Sequence, residues 1–300
     1  MKMEEHSRGK VLITGINGFT GIHLESQLIL LGYTVYGTTF SKTIRKNHFQ
    51  CDILDKRQIK DILVSTKPNY IVHLAAISYV ATENVSSIYE TNILGTLNLL
   101  ESLDELGLDV KKVLLASSAA VYGNIEGELS EDMCPKPVNH YGNSKLSMEN
   151  MASNFFEKFN IIIVRPFNYT GIGQDKKFLI PKIVDYFKRK SKVIPLGNLH
   201  TFREYNDVNS FCSIYIELLN STYCSDVVNV CSGRSYSIDN IIKMMIDISG
   251  HSLKVEVNPL YVRKNEISEL KGSTRKLFQI LGHPINYIDM KQTLASMFNN

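Results

Sequence analysis

Val11-Leu12-Ile13-Thr14-Gly15-Ile16-Asn17-Gly18-Phe19-Thr20-Gly21 is the stretch that decides the fold of this chain. Val11–Thr14 is a short apolar run rich in β-branched residues and reads as a strand. The amphipathic stretch from about Gly21 to Leu31 reads as a helix stopped by Gly32. A strand that turns through glycines into a helix presents unpaired N–H groups and a positive dipole end just beyond the strand. Small residues there allow a tight turn, close approach of a pyrophosphate, and close packing of helix on strand. Gly15, Asn17, Gly18, Phe19, Thr20 and Gly21 are therefore candidate dinucleotide contacts. Glycines alone mark any turn; the strand before and the helix after them point to a ligand.

Outward from this turn the same rhythm repeats. Strands are expected at Thr34–Thr38, Tyr70–Leu74, Lys112–Ser117 and Ile161–Arg165, alternating with helices at Ile59–Ser65, Ile88–Leu106 and Tyr141–Phe159. Apolar strands alternating with helices imply an α/β fold, a Rossmann-type doubly wound parallel sheet covered on both faces. After Pro166 the texture changes. Helices are expected from Pro181, in a first turn, to about Lys190, and over Phe211–Leu219. Ser237 is expected to cap Ile238–Ile248 before Gly250, and Ser273 to cap a helix reaching Leu281. Val227–Cys231 reads as a strand able to rejoin the first sheet. The expected division is a cofactor-binding domain over 1–170 and a smaller α/β substrate region over 171–300. The smaller region would lie beside the carboxyl ends of the strands, where open α/β sheets bind ligands.

Composition narrows the class. Of 300 residues, 44% are hydrophobic, and 33 basic residues nearly balance 30 acidic ones for a net charge of +3. That is an ordinary globular chain, with no basic block for nucleic acid and no membrane partner expected. The five cysteines are scattered without a CxxC, so neither a disulfide framework nor a metal site is expected, and the thiols read as reduced. No leader or bilayer-length apolar run is visible, and a cytoplasmic location follows as the expectation. His23 and His73 read as packing or hydrogen-bonding groups rather than ligands.

The end of the second strand bears on the choice of cofactor. An acidic residue there would bond a ribose 2′-hydroxyl and repel a 2′-phosphate. Here Thr38, Thr39 and Ser41 offer hydroxyls, with Lys42, Arg45 and Lys46 close behind. That favours NADPH, with NADH the alternative. Farther on, Tyr141 and Lys145 stand four apart at a helix start, hence on one face. A free tyrosine has a pKa near 10, and a neighbouring ammonium is expected to lower it toward proton transfer at neutral pH. Ser117 and Ser118, at a strand end, offer a hydroxyl for a carbonyl oxygen.

In order along the chain come TGINGFTG (Thr14–Gly21), CDILD (Cys51–Asp55), HLAA (His73–Ala76), NILGTLNLL (Asn92–Leu100), SSAAVYG (Ser117–Gly123), YGNSK (Tyr141–Lys145) and RPFNYTGIGQ (Arg165–Gln174). This ordered set resembles the extended short-chain dehydrogenase/reductases, the NAD-dependent epimerase/dehydratase family, over nearly the whole chain. The resemblance implies a catalytic Ser118, Tyr141 and Lys145. It places Asp52 and Ile53 at the adenine, and Leu74, Ala75, Ala76, Asn92, Ser117 and Pro166 along the cofactor. On the substrate side it points to Ser78, Ala119, Asn168 and Glu266, with Arg203 and Arg263 on the nucleotide diphosphate. Relatives commonly form a homodimer through helices like those near 88–106 and 141–159.

Within this family the 4,6-dehydratases carry an acidic residue just after the catalytic hydroxyl. Here Ala119 and Ala120 stand there, and neither can exchange a proton. The stretches Pro195–Leu199, Asp226–Gly233 and Asn258–Arg263 resemble the GDP-4-keto-6-deoxy-D-mannose reductases. Two departures from those reductases are Glu204, where aspartate is usual, and Lys264, where proline is common. The resemblance thus implies reduction of a C4 ketone on a nucleotide-linked, GDP-type sugar, hexose or heptose, for surface polysaccharide. A 4-epimerase using bound NAD and a non-catalytic dinucleotide sensor are the other readings.

Overall fold

Strand β1 (Lys10–Thr14) runs into helix α1 (Phe19–Leu30), and β2 (Thr34–Thr39), β3 (His48–Gln50), α2 (Lys56–Thr66) and β4 (Tyr70–His73) follow. Next come α3 (Val85–Tyr89), α4 (Gly95–Glu105), β5 (Lys112–Ala116), β6 (Gly127–Leu129), α5 (His140–Ala152) and β7 (Ile161–Pro166). This computed structural model describes residues 8–78, 84–261 and 267–300. The helix expected over Ile88–Leu106 starts at Val85 and is broken by a π turn at Glu90–Leu94. The helix expected to reach Phe159 ends at Ala152 in a 3₁₀ turn. There the Ser153 hydroxyl donates to the Asn150 carbonyl (2.8 Å), giving the backbone a local alternative to the next helical turn.

The second half contains β8 (Tyr169–Thr170), α6 (Leu179–Lys188), β9 (Val193–Leu196), β10 (Phe202–Glu204), β11 (Asn206–Asp207) and α7 (Val208–Asn220). It continues with β12 (Asp226–Val230), β13 (Ser235–Ser237), α8 (Ile238–Ser249), β14 (Lys254–Val257), β15 (Glu269–Gly272), α9 (Arg275–Leu281) and α10 (Met290–Asn299). Ser237 caps α8 in a reciprocal box with Asn240. Ser273 does not cap α9: its N–H donates to the Leu129 carbonyl (2.8 Å), which ties it to β6 and leaves Thr274 at the cap position. Pro181 is the third residue of α6, still within the turn whose N–H groups have no helical acceptor. Helix α10 has no counterpart in the sequence reading.

The main sheet is parallel, ordered β12-β7-β5-β4-β1-β2-β3. Its order reverses between β1 and β4, which opens a crevice at their carboxyl ends. Leu24 and Leu28 of α1 and Phe211 and Tyr215 of α7 bury one face. Leu63, Leu99, Leu103 and Met148 bury the other, with Met151, Phe155, Phe156 and Phe159 packed on them. Each such side chain contributes about 1.5–3 kcal/mol. Sheet strand β12 and covering helix α7 both come from beyond residue 170.

A second sheet, β13-β10-β15-β6, borrows β6 from the first half of the chain. Helices α6, α8 and α10 bury Ile183, Phe187, Ile241, Met245 and Leu294 in a separate core beside it. All five cysteines are free. Among the described residues no helix is long and apolar enough to cross a membrane.

Candidate active site

The glycine turn sits at the switch point. Gly15 has φ +72°, and a Cβ there would come within 2.9 Å of the Ala75 nitrogen. A Cβ on Gly21 would lie 2.5 Å from the Ile16 carbonyl oxygen. The ends of β1 and β4 therefore meet backbone to backbone, leaving the N–H groups at the start of α1 facing the crevice. A dinucleotide pyrophosphate fits this cradle.

Below it lies a directional chain of hydrogen bonds. Thr14 Oγ1 accepts from the N–H groups of Leu74 (3.2 Å) and Ala75 (3.1 Å). Its own proton then goes to His73 Nδ1 (2.7 Å), so the imidazole carries its proton on Nε2. That proton goes to Thr96 Oγ1 (2.9 Å), which donates to the Asn92 carbonyl (2.9 Å). Burial, aided by the Lys145 charge, lowers the His73 pKa to about 3 and keeps it neutral. Asn92, in the π turn, accepts from the Ile77 N–H (2.8 Å) and donates to Ser144 Oγ (2.9 Å). Ser144 donates in turn to the Tyr141 carbonyl (2.8 Å). The irregular turn thus anchors the start of α5 to the end of β4.

At the far end of the crevice, Phe40, Gln50, Asp52 and Gln58 line an open cavity of about 420 Å³. Asp52 Oδ1 accepts from the Leu54 N–H (2.9 Å). The Ile53 side chain is buried and packs in the core with the α4 helix, where a Cβ on Gly95 would lie 2.6 Å from it. Thr38 and Thr39 are buried at the end of β2, and Thr39 Oγ1 accepts from Asn17 (3.2 Å). Ser41 and Lys42 are exposed. Arg45 is turned to Glu25 (3.3 Å), which also holds the buried His48 (2.6 Å). The Thr20 hydroxyl pairs with the Tyr169 hydroxyl (2.6 Å), and Tyr169 stacks on Phe19 with ring centroids 5.9 Å apart.

The catalytic candidates converge at the end of β5. Ser118 caps a 3₁₀ turn, its Oγ accepting from the Ala120 N–H (3.1 Å). Tyr141 is in the first turn of α5, which Asn139 caps by accepting from the Gly142 N–H (2.8 Å). Burial pushes the Tyr141 phenol above its ordinary range, and a hydrogen bond with Ser118 partly offsets this. The expected lowering by Lys145 is not what this structure shows. The lysine Nζ is turned to the Ala116 carbonyl (2.7 Å), and burial brings its own pKa down to about 8. Ser117 Oγ donates to Glu149, one turn below Lys145 on α5.

Glu149 was not singled out by the sequence reading. Its carboxylate takes a fork from Arg165, with Nε at 3.0 Å and Nη2 at 2.6 Å. Arg165 Nη1 donates to the Tyr122 hydroxyl (3.0 Å), which donates to Asn229 Oδ1 (2.8 Å) on β12. A lone arginine ending the apolar run IIIVR, and a glutamate four residues after Lys145, were the available signals.

On the substrate side, Ser78 and Asn168 are exposed and Ala119 is buried, while Ala76 and Pro166 are half-buried along the crevice. The Asn168 carbonyl accepts from the Asn206 backbone N–H (3.0 Å) and side-chain amide (3.1 Å). Arg203, on β10, donates to the carbonyls of Phe202 (2.7 Å) and Ile267 (3.0 Å). Glu204, fully buried at 0% exposure, accepts from the N–H groups of Gly272 (2.6 Å) and Ser232 (2.8 Å) and from Asn206 (3.0 Å). Arg263 and Glu266 lie outside the described residues. His23 bonds Asn209 (3.1 Å) and the Ile172 carbonyl (2.9 Å).

GDP-6-deoxy-D-talose 4-dehydrogenase of Aggregatibacter actinomycetemcomitans is 36% identical over 296 residues, covering 97% of either chain. GDP-6-deoxy-D-mannose reductase of Pseudomonas aeruginosa is 28% identical, over 97% of this chain and 96% of that one. RMD from Pseudomonas aeruginosa, solved in complex with NADPH, superposes with a TM-score of 0.86 at 27% identity, over 97% of this chain and 98% of that one. Residues 12–297 match the family described as GDP-mannose 4,6 dehydratase. On that match the chain belongs to the GDP-mannose 4,6-dehydratase family, within the epimerase/dehydratase fold its sheet displays.

Proposed function

We propose that this protein reduces the C4 keto group of a GDP-linked 4-keto-6-deoxy sugar, using NADPH, in deoxysugar synthesis for surface polysaccharide. The observation that carries the reading is the convergence of Ser118, Tyr141 and Lys145 at the end of β5, where the phenol hydrogen-bonds Ser118 and the lysine Nζ reaches the Ala116 carbonyl (2.7 Å). A phenol so placed can deliver a proton to a ketone oxygen. Ala119 and Ala120, next along the chain, offer no group to remove a C5 proton, so dehydration has no base there. 6-Deoxytalose and 6-deoxymannose, the sugars named for the two relatives, differ in configuration at C4, which makes C4 the reacting carbon common to both names.

The residues divide the work. Bound NADPH supplies the hydride. Gly15, Gly18 and Gly21 admit its pyrophosphate, and Thr38, Thr39, Ser41 and Lys42 receive the 2′-phosphate with no acid at the end of β2 to repel it. Asp52 takes the adenine. Leu74, Ala75, Ala76, Asn92 and Pro166 line the nicotinamide half. Ser118 holds the C4 oxygen and Tyr141 protonates it, while the Lys145 ammonium stabilises the phenolate left behind. Ser78 and Ala119 border the sugar; Asn168, Arg203, Arg263 and Glu266 hold the nucleotide diphosphate side. On this reading 1–170 carries the cofactor and 171–300 mainly the substrate, in a cytoplasmic homodimer paired through α4 and α5, which gel filtration tests.

The deciding experiment supplies freshly dehydrated GDP-mannose, or the heptose analogue, with NADPH or NADH. Oxidation of NADPH with a C4 alcohol as product is the expected result, and proton NMR of the product gives its configuration at C4. Interconversion of two C4 epimers without net cofactor consumption would make the protein an epimerase instead.

A further inference from the structure

Beneath the catalytic helix lies an ion pair that neither hydride nor proton transfer requires. Glu149 and Arg165 are both buried, 4% exposed each, and joined as a fork at 2.6–3.3 Å. Glu149 is one helical turn from Lys145 and on the same face, and it accepts the hydroxyl of Ser117. Ser117 in turn adjoins Ser118, and its N–H is bonded to the Val164 carbonyl (2.8 Å). One carboxylate thus lies a helical turn from Lys145 and holds the residue next to Ser118.

We propose that Glu149, clamped by Arg165, is a positioning residue of the reaction: it anchors Ser117 beside Ser118 and supplies the negative charge that keeps the Lys145 ammonium protonated. This rests on the reductase reading for what Lys145 does, though not for whether it titrates. The surroundings leave no other anion for that task among the described residues. Tyr141 shares α5 with Lys145 and is neutral; β4 presents His73, also neutral; the π turn presents the uncharged Asn92 and the exposed Glu90; β7 presents Arg165; and the turn after β5 presents Tyr122, whose phenol burial pushes up to about 12. The buried cluster therefore holds two cations and one buried anion; the half-buried Glu131, which accepts from the Asn229 N–H (2.7 Å), acts on Tyr122 instead. Burial lowers the Lys145 pKa to about 8, and Glu149 is the influence opposing it.

The sign follows. Lys145 is charged below about pH 8 and loses its charge as the pH rises through that value. Glu149→Gln keeps an oxygen for Ser117 but removes the anion, so the midpoint falls by a pH unit or more while activity at low pH is largely kept. Arg165→Met leaves the anion and removes a competing cation, so the midpoint rises by a similar amount. The double variant restores a midpoint near that of the unaltered protein. Ser117→Ala leaves the midpoint alone and lowers kcat.

Two readouts follow these variants: the ¹³C resonance of the Lys145 side-chain Cε in the ligand-free protein, assigned with Lys145→Arg, and the alkaline limb of kcat for the keto-sugar with NADPH. Opposite shifts in Glu149→Gln and Arg165→Met support the proposal. Unchanged midpoints, or shifts of the same sign, overturn it, as does a kcat untouched by Ser117→Ala. Should a single variant fail to fold, the remaining single variant and the double carry the same decision. A shifted resonance in a protein that turns over no keto-sugar overturns the reductase reading and leaves this one standing.

Discussion

The sheet side of the crevice and the lobe side hold their polar groups in different ways. On the sheet side, Thr14, His73, Thr96, Asn92 and Ser144 form a chain in which each proton has one place to go, ending at the backbone of Tyr141. On the lobe side a single carboxylate, Glu204, gathers β10, β11, β15 and the loop after β12. On the proposed reading, the first arrangement orients groups that meet the reacting atoms. The second holds strands in register and leaves Arg203 and Asn168 at the rim. Substitutions on the sheet side should therefore show in kcat, and those on the lobe side in stability and in affinity for the nucleotide.

The largest effect is expected from Tyr141→Phe. It removes the proton donor but not the ring, so kcat should fall about 10²- to 10⁴-fold. NADPH affinity, read by fluorescence titration, should stay close to that of the unaltered protein. A variant that keeps its turnover would break the assignment of the sheet side as the chemical one.

Glu204→Gln should be next, and should act on the fold. The amide group would face an N–H donor from either Gly272 or Ser232, leaving a buried polar atom unsatisfied, at a cost of about 1–3 kcal/mol. Urea unfolding should register that loss, and KM for the nucleotide sugar should rise more than kcat falls. Burial also raises the Glu204 pKa against the pull of its hydrogen bonds. A collapse of kcat with KM unchanged would remove the contrast between the two sides.

The same contrast decides what the sequence made legible. The parallel sheet, its glycine turn and its helices followed from local runs, whereas the strand order is seen only in the structure. The lobe did not, because β10 pairs with β13 and β15, and β15 with β6, across separations that no local pattern encodes. The expected Ser273 cap failed for the same reason: a strand 144 residues away holds its N–H. In the site, Tyr141 and Lys145 were visible by their spacing. Their ionisation was not, since burial in the folded chain raises the Tyr141 pKa and lowers that of Lys145. Glu149 looked like one more helical glutamate until Arg165 was found against it.

The smallest effect is expected at the edge of the cofactor site. From sequence, Lys42, Arg45 and Lys46 were the cations near a 2′-phosphate. In the structure the Arg45 guanidinium is committed to Glu25, though its side chain is 60% exposed, whereas Lys42 is exposed shortly after the end of β2. Exposed ion pairs contribute about 0–1 kcal/mol, so Arg45→Ala should change NADPH affinity by no more than about fivefold. Lys42→Ala should weaken NADPH more than NADH, because only the former carries the added phosphate. Isothermal titration of both cofactors separates the cases. If Arg45→Ala instead abolishes the preference for NADPH, the guanidinium must leave Glu25 when the phosphate arrives, and the cofactor edge would be remade by its ligand, unlike the chain of fixed hydrogen bonds beneath the glycine turn.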